Sequence, residues 1–359
     1  MSFYLGSSVI GGNNPPYVIA EMSGNHNQDI NQAIQLIHSA KRAGANAIKL
    51  QTYTADTLTI DYKGTDFLVS DKDSLWTGTY LYDLYKKAFT PWEWHKEIFN
   101  EAKKIGIDCF SSVFDETSVD FLENLNTPAY KIASFENNHL PLIAKVAQTG
   151  KPMIISLGLA TLDEITEAVE TARQNGCQDL ALLKCTSNYP ASPKAVNLKT
   201  MADIKSRFNC TVGYSDHTLG IGSAVAAAAL GASIIEKHLK MESDIEGVDS
   251  GFSTNEQEFK TMTENCFLAW ESIGEIKYGS TDEEIPSEKF RRSIYTVETI
   301  QANEIISNKH FKIIRPGFGI SPKYLQDLIG KKTPESINRG ERIDKRIYEQ
   351  IMNYNINPH

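Results

Sequence analysis

Two histidines mark the stretch of the chain where chemistry is expected. His217 follows a short apolar strand predicted over 211–215, and His238 ends a second one over 233–238. An Ala/Gly-rich helix predicted over 219–231 joins them, and a strand–helix–strand unit this short has parallel strands. Both histidines are therefore expected at the same end of neighbouring strands. Imidazole is the commonest metal ligand in proteins, so the pair predicts a divalent metal site; two hydrogen-bonded structural histidines are the alternative.

Polar side chains also stand at the ends of nearly all the remaining predicted strands. Lys and Glu are rarely buried without partners, so a ring of them predicts a polar ligand. The alternative for each residue is an internal salt bridge, for example between Glu21 and Lys49. The ring comprises Glu21, Lys49, Gln51, Ser111, Ser112, Lys131, Ser134, Glu136, Ser156, Lys184, Thr186, Ser187, Ser215 and Glu236.

The spacing within these strands adds a check, because residues i and i+2 face the same way. Lys49 shares a face with Gln51, and Glu236 shares one with His238. Lysines with serine hydroxyls suit a phosphate or carboxylate, and histidines with a carboxylate suit a divalent metal with open positions. The pattern predicts a metal-assisted reaction of a phosphorylated, carboxylated small molecule.

The elements that carry these residues alternate along the chain. Eight short apolar strands alternate with eight helices. Strands without polar alternation are expected where both faces are buried, and eight such units predict a (β/α)₈ TIM barrel. A doubly wound sheet is the alternative, but no Gly-rich nucleotide-binding turn is present.

The domain organisation follows from shifts in composition. We expect a barrel domain over 1–279, an acidic linker over 280–290, and a small β-rich domain over 291–350. The segment 54–90 is a long aromatic insertion after the second strand of the barrel, and such insertions usually carry binding or function.

Composition bounds the partners. The net charge of −9 and the pI of about 5.5 argue against nucleic acid. No apolar run approaches the roughly 18 residues of a membrane span, and we expect neither a membrane partner nor a signal peptide. Five dispersed cysteines without a CxxC pair predict a reducing, cytoplasmic location.

The chain resembles the sialic acid synthase family in the motifs IAEMSGNHN, AIKLQTY, FSSVF, YKIASFE, KCTSNYP, GYSDHT and EKHL, which occur in the family's order. The segments RRSIYTVETIQANE and RPGFGISPKYLQDLIGKK resemble its C-terminal antifreeze-like (SAF) domain. The resemblance covers about 17–348. It implies an enzyme that condenses phosphoenolpyruvate with an N-acetylated aldose, uses a divalent cation (Mn, Mg or Co), and works as a domain-swapped homodimer.

The resemblance also implies roles for individual residues. His217 and His238 would hold the metal, Glu21 and Glu136 would face the sugar as catalytic residues, and Arg315 would reach an active site from the SAF domain. The residues expected to bind the substrates are Lys49, Gln51, Ser112, Lys131, Ser134, Ser156, Ser187, Tyr189, Ser215 and Asp249. Lys184 is a candidate from its strand position alone.

Two features point to one branch of the family. Phe135 in KIASFE and the insertion around Trp76 and Tyr80 resemble one branch, and that resemblance implies 2,4-diacetamido-2,4,6-trideoxy-L-altropyranose as the aldose. These residues would form an apolar wall, which accepts the methyl group of a 6-deoxy sugar. The alternatives are the same machinery with a sialic or legionaminic acid precursor, a class II metal aldolase, and a non-catalytic sugar-binding or ice-binding protein.

Overall fold

The computed structural model describes residues 2–72, 74–244 and 247–356. The chain forms two compact units, Met1–Gly274 and Glu275–His359. In the first unit eight parallel strands close into a barrel, with the last strand paired to the first. This confirms the predicted TIM barrel and rules out the open doubly wound sheet.

The strands are β1 (Ser2–Leu5), β2 (Ser8–Gly11), β3 (Tyr17–Glu21), β4 (Ala47–Thr52), β5 (Asp108–Val113), β6 (Tyr130–Ile132), β7 (Met153–Ser156), β8 (Leu180–Cys185), β9 (Thr211–Asp216), β10 (Ile234–His238), β11 (Ser293–Thr296) and β12 (Phe311–Ile314). The barrel consists of β3–β10.

The α-helices are α1 (Ile30–Arg42), α2 (Ala55–Leu58), α3 (Leu81–Ala88), α4 (His95–Ile105), α5 (Glu116–Glu123), α6 (Leu140–Ala147), α7 (Leu162–Gln174), α8 (Thr200–Phe208), α9 (Gly222–Ala229), α10 (Glu256–Ile273), α11 (Leu325–Leu328) and α12 (Lys345–Ile356). Polar side chains accept backbone N–H groups at the starts of α1, α5, α7 and α10. Such caps fix where a helix begins. None of the helices in the described ranges combines the length and hydrophobicity that a bilayer span needs.

Alternate residues of each barrel strand pack into two different cores. In β3, Val18 and Ala20 belong to the layer between strands and helices, whereas Tyr17 and Ile19 fill the barrel interior. Both faces are therefore buried, and the strands read as continuous apolar runs.

A hairpin that the sequence analysis did not predict covers the amino ends of the strands. It is formed by β1 and β2, and its Phe3, Leu5 and Ile10 pack with Tyr17 and Ala47 in the inner core. Because this end is filled with apolar side chains, a ligand can enter only from the carboxyl ends.

Two buried histidines connect the insertion to the barrel. Thr52 Oγ1 lies 2.8 Å from His95 Nε2 and 2.6 Å from Ser111 Oγ. Thr90 Oγ1, at the end of the insertion, lies 3.2 Å from His26 Nε2. These contacts fix the segment between β4 and α4, which contains α2 and α3.

The second unit has its own apolar core. The antiparallel pair β11–β12 packs with α11 and α12, through side chains that include Ile294, Phe311, Leu328, Ile343 and Ile351. The strands match the predicted β-rich domain, whereas α12 was not predicted.

The histidines that hold the insertion make stability depend on pH. Burial lowers the pKa of both His26 and His95 to about 4, against about 6.5 in the unfolded chain. Between these pH values the unfolded chain binds more protons than the folded chain. The contribution of the two histidines to the free energy of unfolding is therefore complete above pH ~6.5 and is lost as the pH falls toward 4. We expect His95→Gln to reduce that loss by roughly 1–3 kcal/mol, measured by urea unfolding at several pH values.

The exposed His139 provides the control. His139→Gln should keep the wild-type pH dependence of the free energy of unfolding. An unchanged pH dependence in His95→Gln would contradict this role.

Candidate functional site

A cavity of about 350 Å³ lies at the carboxyl ends of the barrel strands. Ser111, Lys184 and Thr186 of the predicted ring do not line it. Every site residue that the family resemblance assigns to the first unit does, except Ser187. These residues are Glu21, Lys49, Gln51, Ser112, Lys131, Ser134, Glu136, Ser156, Tyr189, Ser215, His217, His238 and Asp249.

Strand register brings these residues to the same height. Lys49 pairs with Glu21 across β3 and β4, and Ser112 pairs with Lys131 across β5 and β6. His238 of β10 pairs with Glu21 where the barrel closes. The predicted sharing of faces is confirmed, because alternate residues of each strand point inward.

Four of the lining residues form a buried network of charges. Lys49 Nζ lies 2.5 Å from Glu21 Oε2 and 3.9 Å from Glu236 Oε1. Lys131 Nζ lies 3.8 Å from the same Glu236 oxygen. The internal Glu21–Lys49 salt bridge, the alternative to a ligand site at these two residues, is formed, and both residues line the cavity.

Burial and pairing shift the pKa values of this network. Burial raises the pKa of Glu21 to about 6, although Lys49 opposes the shift. Burial lowers the pKa of Lys131, and Glu236 only partly offsets it. For Lys49, the two glutamates outweigh burial and raise the pKa. The lysines also donate to hydroxyls, at 2.9 Å from Lys49 to Ser112 and 2.7 Å from Lys131 to Ser156.

Several buried polar atoms in the cavity have no hydrogen-bond partner. They include Oε2 of Glu136, Oε2 of Glu236 and Nδ1 of His238. Buried polar groups are nearly always paired, so these atoms indicate where ligand groups or water bind.

The two histidines lie side by side, with ring centroids 5.3 Å apart. His217 Nδ1 lies 3.1 Å from the carbonyl oxygen of Thr186, so this nitrogen donates and Nε2 remains available. Burial lowers the pKa of His238 well below its usual range, which keeps that ring neutral, as a metal ligand must be.

A divalent cation fits this pair. The described residues contain no preformed group of three His, Cys, Asp or Glu ligands. Two imidazoles beside buried oxygens without partners suit a cation that substrate and water also coordinate. Nδ1 of His217, held by a backbone carbonyl, has the outer contact usual for metal-binding histidines.

Two serine hydroxyls approach Gly158 too closely for any side chain there. A Cβ added to Gly158 would lie 2.1 Å from Ser187 Oγ and 2.7 Å from Ser134 Oγ. Ser187 therefore lies beside Gly158, and it is not among the residues that line the cavity. Lys184 does not line the cavity either: it donates to the Cys185 carbonyl at 2.6 Å, while the Cys185 side chain faces inward.

Aromatic side chains form the other part of the lining. Tyr189 lies 4.5 Å from His217, 5.7 Å from Trp76 and 6.4 Å from Phe135, measured between ring centroids. Trp76 Nε1 donates to the Val248 carbonyl at 2.9 Å. The insertion supplies Leu58, Val69, Trp76, Leu81, Leu84, Tyr85 and Ala88.

The prediction that Tyr80 forms part of the apolar wall is wrong. It does not line the cavity, and its ring instead lies 4.8 Å from the ammonium of Lys63. Trp76 and Phe135 are on the wall as predicted.

The site also contains residues that the predicted set lacks. Ser23 accepts from Gln51 at 3.0 Å and donates to Asp249. Glu236 was predicted to share a face with His238 but was given no role of its own, and Cys185 was not among the predicted site residues. The i+2 spacing from Glu21 could have pointed to Ser23. The other additions are Tyr53, Phe114 and Phe252.

Lysines, carboxylates and a histidine pair at the carboxyl ends of a closed barrel define a barrel enzyme. The NeuB family model matches residues 36–278, and a SAF domain model matches 291–345. The chain belongs to the NeuB family and carries a SAF domain, as the sequence motifs predicted.

Individual relatives agree with this assignment. The chain is 41% identical to the pseudaminic acid synthase of Campylobacter jejuni over 91% of its length and 95% of that protein. It is 39% identical to the enzyme of the same name from Helicobacter pylori, over 89% and 93%. The N-acetylneuraminic acid (sialic acid) synthetase of Leptospira borgpetersenii, 29% identical, superposes with a TM-score of 0.71 over 80% of this chain and 95% of that chain.

Glu136 should give the enzyme a pH dependence near neutrality. Burial raises the pKa of this carboxyl to about 7, although Lys131 opposes the shift. A protonated Glu136 can donate a proton to a ligand, so kcat/KM should fall as the pH rises through 7. Glu136→Gln should lose this limb of the profile and at least ~10² of its rate. Glu116→Gln, an exposed site outside the cavity, is the control, and a Glu136→Gln profile that keeps the limb would contradict the role.

Proposed function

We propose that the protein is a pseudaminic acid synthase. It would condense phosphoenolpyruvate with 2,4-diacetamido-2,4,6-trideoxy-L-altropyranose and water, and release pseudaminic acid and phosphate. The observation that carries the proposal is one cavity that is lined both by buried lysines and serines and by aromatic side chains. Identity to characterised synthases over nearly the whole chain supports it.

Phosphoenolpyruvate would occupy the lysine–serine part. Its phosphate and carboxylate suit the ammonium groups of Lys49 and Lys131 and the surrounding hydroxyls. The serines in reach are Ser112, Ser134, Ser156 and Ser215. Ser187, which lies beside Gly158 and outside the lining, would not touch the ligand.

His217 and His238 would hold a divalent cation, with Mn, Mg and Co as the candidates. When bound, the cation would act as a Lewis acid on the carbonyl oxygen of the open-chain aldose. Asp249, raised in pKa by burial, and Gln51 would orient the hydroxyls of the sugar.

The reaction joins carbon 3 of phosphoenolpyruvate to the aldehyde carbon of the sugar. Lys49 and Lys131 would hold the first substrate, and the aromatic side chains would hold the second, so that the two carbons meet. Alignment of this kind is worth several kcal/mol, up to about 7–11. Protonated Glu136 would give its proton to the aldehyde oxygen as the bond forms. Water then adds at carbon 2 of the resulting oxocarbenium and returns a proton to the Glu136 carboxylate. The tetrahedral intermediate loses phosphate by C–O cleavage, its hydroxyl proton leaves with the phosphate, and carbon 2 becomes a ketone.

The choice of aldose tests the assignment. Phe135 and Trp76 should accept the methyl group of a 6-deoxy sugar, whereas a hydroxymethyl would lose water there. The gain is about 1–3 kcal/mol, or roughly 10–100-fold in kcat/KM. We expect phosphate release to be fastest with the 6-deoxy diacetamido L-altro sugar, compared with its stereoisomers and N-acetylmannosamine.

A matched pair of variants tests whether Phe135 causes this preference. Phe135→Ala should reduce the ratio of kcat/KM for the 6-deoxy sugar to kcat/KM for N-acetylmannosamine. Leu162→Ala, at an exposed position outside the cavity, should leave the ratio unchanged. Faster turnover of N-acetylmannosamine would instead indicate a neuraminate synthase. Faster turnover of a stereoisomer of the diacetamido sugar would indicate a legionaminate synthase.

We also propose a cytoplasmic homodimer with exchanged SAF domains. The described lining of the cavity contains no arginine, although the ligand is strongly anionic. Arg315 is exposed in its own unit. The residues just before the SAF domain expose large apolar side chains, among them Ile276, Tyr278 and Phe290, which a second chain could cover. The five cysteines are free and buried, which suits a reducing compartment.

Mixed dimers test whether Arg315 acts in trans. Arg315→Ala and His238→Ala should each be nearly inactive alone. After the two are mixed and reassociated, each heterodimer would have one site that lacks both groups and one intact site. We expect about a quarter of wild-type phosphate release, because half the dimers are mixed and each has one working site. Verified heterodimers without activity would exclude the trans role.

A further inference from the structure

An ion pair lies on the far side of the two strands that carry the histidines. Asp216 is the last residue of β9 and directly precedes His217, and Lys237 precedes His238 on β10. Alternation turns this pair away from the cavity when the histidines face it. Lys237 Nζ lies 2.7 Å from Asp216 Oδ2, and neither side chain has any exposed surface.

All hydrogen bonds of the pair fall within the two strand ends. Asp216 Oδ1 accepts from Thr218 N at 2.8 Å, Thr218 Oγ1 at 2.7 Å and Tyr214 OH at 3.0 Å. Lys237 Nζ also donates to the Thr218 carbonyl at 2.7 Å. The Asp216 carboxylate therefore binds Tyr214 and Thr218, which lie on either side of His217 in the chain. The same carboxylate also pairs with Lys237, the residue before His238.

Stability alone does not explain such a pair. Burying two charges costs free energy that their attraction barely recovers, and a packed apolar pair of similar volume is often as stable. A buried, directional pair does fix the register and direction of the backbone segments that it joins. Here those segments carry both histidines.

We propose that Asp216 and Lys237 are positioning residues that hold His217 and His238 for joint binding of the divalent cation. This inference rests on the metal role in the proposed function. The pair itself touches neither the metal nor the substrates. Its effect would be to keep the two rings, 5.3 Å apart between centroids, in one relative orientation.

Binding of Mn²⁺ to the full-length protein, followed by EPR of the free ion, tests the proposal without reference to turnover. Asp216→Asn keeps the volume and the Oδ1 acceptor but loses the charge. Lys237→Met keeps the length of the side chain. Each should weaken Mn²⁺ binding about 10-fold or more, as loss of an outer contact to metal ligands does, whereas Lys237→Arg should bind more tightly than Lys237→Met.

The double variant Asp216→Leu with Lys237→Met separates positioning from stability. It should regain the thermal stability lost in the single variants but not the Mn²⁺ affinity. Recovery of both would reduce the pair to a structural role and overturn the proposal. Wild-type affinity in the soluble single variants would also overturn it.

Two controls complete the experiment. Glu123→Gln with Lys151→Met removes an ion pair whose charged atoms lie 2.6 Å apart outside the cavity, and should leave Mn²⁺ affinity unchanged. His217→Ala should abolish binding. If His217→Ala binds Mn²⁺ as wild type does, the metal role itself fails; if only the Asp216 and Lys237 variants bind normally, the positioning role fails alone.

Discussion

Two lysines and two glutamates share the interior of the barrel at its open end. Lys49 and Lys131 both approach one oxygen of Glu236, and Lys49 also pairs with Glu21. An unpaired ion at this depth would cost several kcal/mol, so the four charges must balance one another before a ligand arrives. A ligand with both phosphate and carboxylate therefore needs further positive charge. The histidine pair can provide a bound cation, and an arginine from elsewhere would add to it.

The closed barrel separates stability from chemistry along each strand. Near the amino end, inward residues such as Tyr17, Ile19 and Ala47 form an apolar layer that the hairpin of β1 and β2 covers. Two residues further along, Glu21 and Lys49 are polar and face the cavity. The apolar layer stabilises the fold through burial. The polar layer can therefore contain buried charged groups that contribute little to the stability of the fold.

The insertion after β4 supplies apolar side chains to the lining of the cavity. Its aromatic and aliphatic side chains line one part of the site, and buried histidines attach it to the barrel at Thr52 and Thr90. A sugar rich in methyl groups suits that part, whereas the anionic substrate suits the charged part. In the proposed function the insertion would therefore bias the choice of aldose, whereas the lysines and serines would bind the anionic substrate.

Local patterns in the sequence were sufficient for the barrel and for most of the residues that line the cavity. Short apolar runs and i+2 spacing depend on neighbours in the chain, and they predicted Lys49, Lys131, His217 and His238 at strand ends, where the structure has them lining the cavity. Other features depended on distant segments: the apolar hairpin that fills one end, the position of Ser187 beside Gly158 and off the lining, and the pairing of Asp216 with Lys237. These follow from the path of the backbone beyond each strand and from which strands become neighbours. Periodicity carries no record of either, so only the tertiary structure decided them.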